Sequence, residues 1–168
     1  MEKALQDFYY QFHTKQHYFL CHDILEEAWK SNASFSKDDA IVSLVLMATG
    51  CYHFRRDNHR GAIKSFNKAL KVIELHDNIT HLGMDIDAYK YMLKSLIAHV
   101  DNGKPFAPIE LPLTNSMVKR IMRAYPHFVM TTDMVTESYI VNHHLERDRS
   151  EVNEARQNAL RQKQQRRL

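Results

Sequence analysis

The sequence predicts an all-α fold: a compact bundle of about five core helices around a buried third helix, with a C-terminal helical extension. Three observations predict it. Apolar residues recur every three or four positions almost throughout, the period of a helix with one buried face. From Ala40 to Phe54 no Asp, Glu, Lys or Arg occurs. That run is too short to span a bilayer, and a helix apolar on nearly every side is a central, buried one. Finally, there are only four Gly and four Pro, and three of the prolines fall together at Pro105, Pro108 and Pro112. A chain of 168 residues is long enough to bury roughly two-thirds of its unfolded surface in one compact unit.

The elements follow in order. Ala4, Leu5, Phe8 and Phe12 predict a first helix over about 2–14. Leu20, Cys21, Ile24, Leu25 and Ala28 share one face of a second, from about Lys15 to Lys30. Ser31, Asn32, Ser34 and Ser36 make a loop. Ser36 is a good N-cap, with Asp39 three residues on as the acid of a short capping box. The third helix runs from Asp38 to Arg56, and Asp57-Asn58 breaks it. The fourth, about His59 to Leu75, has the cleanest stripe: Ala62, Ile63, Phe66, Ala69, Leu70 and Ile73, with Lys64, Lys68 and Lys71 opposite. It looks like half of a tetratricopeptide unit, but a solenoid needs about three such units. A fifth helix spans Asp85 to Val100, stopped by Asn102-Gly103 and Pro105. The proline segment places the end of the core domain near 112, giving residues 1–112 as core and 113–168 as extension. Thr114 or Asn115 caps a short helix to Tyr125, and Thr132 or Asp133 starts a last one. Residues 127–141 also suit strands. From about Ser150 the chain is polar and should fray.

Charge is uneven. Residues 1–144 carry 16 basic and 16 acidic side chains, whereas 145–168 carry seven basic and four acidic. A neutral body argues against nucleic-acid binding, which draws its affinity from neutralising phosphates. The tail, with Arg156, Arg161, Lys163, Arg166 and Arg167, suits an acidic protein partner, or simply keeps a helix end solvated. The N-terminus has no secretory pattern, and Cys21 and Cys51 sit in apolar surroundings as free thiols. These features predict a cytoplasmic protein with no membrane contact. They leave the oligomeric state open.

One constellation could carry chemistry. His22 and Glu26 are four apart, and Trp29, the only Trp, falls on the same side of the second helix. The stripe borders the apolar face, so imidazole, carboxylate and indole would be half-sheltered, which strengthens hydrogen bonds and shifts pKa values. Composition alone yields roughly 0.6 chance His–Glu pairs at this spacing, so a helix-stabilising contact beside a core Trp is the plain alternative. If the second and third helices are antiparallel, His53 comes towards His17 and His22. Such a set could hold a divalent metal as cofactor, through His22, Glu26 and His53, or supply a general base and its orienting carboxylate. HExxH, P-loop, GxGxxG and GxSxG motifs are absent. Arg55, Arg56, His59 and Arg60 gather before Gly61, where an anion could sit or the turn could simply be solvated. His143-His144 reads as a chance surface pair.

The segment from Tyr18 to Trp29, with Tyr18, Phe19, Cys21, His22, Glu26 and Trp29, resembles the signature of domain-of-unknown-function family 309. These are small helical proteins, mostly bacterial and archaeal. Tyr52-His53 at the end of the next helix, then Asn58 and Gly61-Ala62, extend the resemblance over about residues 8–75. It implies a helical bundle with His22, Glu26, Trp29 and His53 grouped together, and it implies no activity. The resulting expectation is a binding or adaptor module with a pocket of His22, Glu26, Trp29, His53, Arg56 and Asn58. The alternatives are a metal-assisted hydrolase using His22, Glu26 and His53, and a weak nucleic-acid binder acting through its tail. Whether the chain is an enzyme is left open.

Overall fold

A computed structural model of the chain describes residues 1–146, 154 and 157. The basic tail expected from about Ser150 therefore lies outside the described residues, those two positions apart. The described part is an all-α bundle. Its helices are α1 (Glu2–Tyr10), α2 (Tyr18–Lys30), α3 (Ala40–Arg55), α4 (His59–Ile73), α5 (Ile86–Asp101), α6 (Asn115–Ala124) and two four-residue turns, α7 (Ser138–Val141) and α8 (His143–Glu146). None is long and apolar enough to cross a membrane.

Helix α3 is the axis of the bundle. Eleven of its residues are buried, among them Leu44, Met47, Ala48 and Cys51. Helices α2 and α4 flank it, and both run against it. The end of α2 meets the start of α3 where Trp29 donates to Asp39 Oδ2 at 2.9 Å. Likewise Ser43, early in α3, donates to the Ala69 carbonyl, late in α4, at 2.8 Å. The α3–α4 contact is close because Gly50 lacks a side chain: a Cβ there would stand 2.4 Å from the Phe66 ring. Helix α5 packs on α4, with Tyr89 hydrogen-bonded to Ser43 at 3.0 Å. Its N-cap Asp85 accepts from Ala88 N–H, and Gly103, at φ 65°, ends it.

The boundaries differ from expectation where a polar side chain finds a distant partner. The first helix continues through one π-helical turn, Gln11–Lys15, and Gln16 then adopts a left-handed conformation (φ 51°). The second helix accordingly starts at Tyr18 and not at Lys15. Gln16 accepts this conformation because its amide is used across the fold, donating to Asp133 O at 2.7 Å and accepting from Val135 N–H at 3.0 Å. At the next corner Asp39, not Ser36, is the N-cap residue of α3, and its carboxylate turns back to Ser36 N–H at 2.8 Å.

The proline segment is extended and brings Phe106 against Tyr18 and Phe54. Thr114 caps α6, whose Met117 and Ile121 join the core, and Tyr125 stacks on Tyr10 at 4.1 Å. Beyond it, no helix starts at Thr132 or Asp133, and residues 127–141 form no strand. The reason is that no strand lies beside them. Their backbone is satisfied by the π turn instead: Thr14 donates to Val129 O at 2.8 Å, and Thr131 N–H donates to His13 O at 3.1 Å. This docking carries the chain across the end of α2, where α7 and α8 form.

Candidate functional site

Antiparallel packing of α2 and α3 sets the first turn of one beside the last turn of the other. Tyr18 and Phe19 lie four and three residues before His22 on α2, and Tyr52 and His53 lie three and four residues after Thr49 on α3, so each set gathers on one side of its helix. The two faces enclose a cleft of about 130 Å³, which His144 of α8 completes. Its lining is largely aromatic. Phe19 meets Tyr52 edge-on with ring centroids 5.4 Å apart and lies near-parallel to His22 at 6.1 Å.

The polar groups of the cleft have defined roles. Asn58 caps α4, its Oδ1 accepting from Gly61 N–H at 3.0 Å. Its Nδ2 must then donate to His53 Nδ1, also at 3.0 Å. His53 Nδ1 is thus an acceptor, and the neutral ring carries its proton on Nε2. Burial, with the Arg56 cation second, lowers the His53 pKa and keeps the ring neutral. His22 has the opposite polarity. Its Nδ1 bonds Asp23 Oδ1 at 3.0 Å, so Nδ1 carries a proton there. Nδ1 is therefore an acceptor in His53 and a donor in His22. A third polar group, the Tyr18 hydroxyl, is buried with no hydrogen-bond partner among the described residues. Burial raises its pKa, so it is a neutral phenol.

The Arg55 guanidinium lies over the Tyr18 ring, 4.6 Å from its centre. It donates to Gln16 O at 2.6 Å and to Ile140 O at 3.2 Å. Arg56 lies over Tyr52 and donates to Asn142 Oδ1 at 3.0 Å. The cations before Gly61 therefore diverge into these separate contacts, which leaves no shared anion pocket between Arg55 and Arg56.

Among the residues singled out in the sequence, the structure unites His22 and His53. Glu26 is one turn away, ion-paired with Lys30 at 3.0 Å. Trp29 is further along α2 and serves the corner: its indole N–H bonds Asp39 Oδ2 and Ser36 O, and its ring packs edge-on against Phe35. Asn58 and Arg56 stand behind His53 and Tyr52. His17 faces His143, Nε2 to Nδ1, at 3.0 Å. A metal could be held by His22, Asp23 and Glu26, which offer ligand atoms within 4.8 Å of one another, and Asp23 takes the place in this set that His53 was expected to fill. Sequence reasoning gave no site role to Thr49, Tyr52 or His144. Tyr52 was marked only as part of the family resemblance and His144 only as half of an adjacent His pair; what recruits all three to the cleft is proximity between elements.

No solved structure matches the chain. A curated relative, described as the uncharacterized protein YpuF of Bacillus subtilis (strain 168), is 25% identical over 155 residues, covering 89% of this chain and 89% of that protein. The model of the family described as "Domain of unknown function (DUF309)" matches residues 5–65, from α1 into α4, a span that includes His22, Glu26, Trp29, His53, Asn58 and Gly61. The resemblance carried by the His22–Glu26–Trp29 signature thus agrees with the match to the DUF309 model over residues 5–65.

Proposed function

We propose that the protein is a binding module, and that the cleft between α2 and α3 is its recognition site. One observation carries this reading: His22 and His53 line the same aromatic cleft together with Tyr18, whose buried hydroxyl has no hydrogen-bond partner among the described residues. An apolar cavity with a few convergent polar groups is the general form of a ligand site. A buried hydroxyl without a partner costs about 1–3 kcal/mol, a cost that a bound polar group would relieve. A cavity of about 130 Å³ suits a side chain or a compact group better than a whole cofactor. The test is to block the cleft at a residue whose side-chain hydrogen bond stays within its own helix. Thr49→Phe would fill it from α3, where Thr49 Oγ1 bonds only its own helix, at Val45 O. A partner captured by the wild type and lost by the folded Thr49→Phe protein supports the reading. Equal capture by both refutes it.

A second reading, divalent-metal binding in the service of hydrolysis, is favoured by the His22, Asp23 and Glu26 cluster. A carboxylate–histidine pair with a further carboxylate one turn on can chelate a cation and leave positions open for water. Equilibrium dialysis against Zn²⁺ or Mn²⁺ tests it. One bound ion in the wild type, absent from His22→Ala/Glu26→Ala, is the expected result. Equal binding by both proteins would remove the reading.

A further inference from the structure

The cleft is roofed by the chain itself. Six contacts tie residues 138–146 to its rim, and they come from both helices that build it or from the residues that cap them. His143 Nδ1 faces His17 Nε2 at 3.0 Å, and the His143 ring lies near-parallel to Phe19, with centroids 5.3 Å apart and an interplanar angle of 26°. His144 stacks on the same Phe19 ring at 5.8 Å and 26°, and its Nδ1 is hydrogen-bonded to the Tyr52 hydroxyl. Arg55 and Arg56, at the end of α3, hold Ile140 O and the Asn142 side chain. Rings of adjacent residues diverge on a regular helix. Here Phe19 lies where both can reach it.

The segment that makes these contacts is short, and none of residues 138–145 is buried. α7 and α8 are four residues each, joined at Asn142, and Tyr139 and Leu145 are exposed. No residue of α7 is buried. A turn this short has no stability of its own. Its position is set by the groups it touches, and those groups are the cleft.

We propose that residues 138–146 are an intramolecular ligand of the cleft, an autoinhibitory strap that a partner peptide must displace. The proposal rests on the reading of the cleft as a recognition site and names its occupant: a short helical turn presenting two neighbouring rings with hydrogen-bonding nitrogens, followed through trans binding by a partner of the same chemistry. His143 and His144 are the chain's own version of that turn. While the strap is docked, His144 forms part of the cavity wall. With the strap lifted, Phe19, Tyr52 and His17 all lose a partner and face solvent. A segment tethered close to its site competes at an effective concentration of order millimolar, so an external peptide of equal intrinsic affinity binds the closed protein weakly.

The experiment uses the full-length chain and a labelled synthetic peptide of residues 138–146, Ser-Tyr-Ile-Val-Asn-His-His-Leu-Glu. Binding is read by fluorescence anisotropy to the wild type and to His143→Ala/His144→Ala, with amide hydrogen exchange at 138–146 reporting whether the strap has lifted. The expected result is faster exchange in the variant and peptide binding at least about tenfold tighter than to the wild type. Adding Phe19→Ala to the variant abolishes that binding. Unchanged exchange in the variant overturns the proposal, because the two histidines then do not hold the strap. Faster exchange with no peptide binding also overturns it, and takes the recognition reading of the cleft with it for this class of ligand. Equal binding to wild type and variant overturns the strap alone and leaves the cleft as a recognition site.

Discussion

Trp29→Phe separates a structural indole from one that serves a site. The substitution keeps an aromatic ring against Phe35 and removes a single donor, the indole N–H. That donor is shared between Asp39 Oδ2 at 2.9 Å and Ser36 O at 3.1 Å. The bond to the carboxylate is charge-assisted, a type worth about 1.5–3 kcal/mol when sheltered. Here it is half-exposed, and water can replace part of it, so about 1–2 kcal/mol is the reasonable loss. Asp39 also holds Ser36 N–H at 2.8 Å, so the loss falls on the corner that sets α2 against α3. For a chain of this size that is a fall in Tm of roughly 2–8 °C. Trp29 is the only Trp, so the melt is followed by circular dichroism at 222 nm. A double-mutant cycle with Asp39→Ala isolates the pair, and a coupling energy of about 1 kcal/mol is expected. A variant that melts with the wild type and shows no coupling would refute the structural assignment and return Trp29 to the list of candidate site residues.

Three further outcomes are expected. Burial pulls His13 down to about 4, and burial, then His143 and Arg55, do the same for His17. A histidine whose folded value lies below its unfolded value of about 6.5 stabilises the fold above that pH and loses the contribution as the pH falls towards 4. His13→Phe, set between Phe12 and Phe128, should flatten the decline in urea midpoint between pH 6.5 and 4.5, removing up to about 1.4 kcal/mol per pH unit of slope; an unchanged slope would show that His13 titrates normally. Gly50→Ala improves helix propensity by about 1 kcal/mol, yet its Cβ would meet the buried Phe66 ring at 2.4 Å, so a net loss of roughly 1–2 kcal/mol is expected by urea denaturation, and a gain would mean that α3 and α4 can part at little cost. Thr49→Phe should leave the urea midpoint within about 1 kcal/mol of wild type, since the new ring enters existing space; a larger loss would show that the cleft closes in solution.

Much of the architecture was legible because it is written locally. The uncharged run Ala40 to Phe54 named the buried axis, and the stripe from Ala62 to Ile73 named the inner face of α4. Of the two caps offered for the sixth helix, Thr114 or Asn115, Thr114 is the one used, while Asn58, read as a break, and Asp85, read as a helix start, prove to be caps. The expectation that His53 approaches His22 was conditional on antiparallel packing of the second and third helices, and both residues line the cleft between α2 and α3. The helix stripe that groups His22, Glu26 and Trp29 was also read correctly as a stripe. The sequence alone could not show that the three side chains take different partners along it: Asp23 for His22, Lys30 for Glu26, Asp39 for Trp29.

What the sequence by itself determined is the longer helices, α1 to α6, and which face of each is buried, because those depend on residues within about four positions of one another. Tertiary structure alone decided what the cleft contains. Thr49 and Tyr52 enter it through the crossing of two helices. His144, 92 residues beyond Tyr52 in the chain, enters through a segment which takes its position from Gln16, Arg55 and Phe19 and not from its own helical propensity. Contacts of that range have no period to read. They arise from the shape left when the helices have packed, and from the need of each buried donor and acceptor to find a partner there.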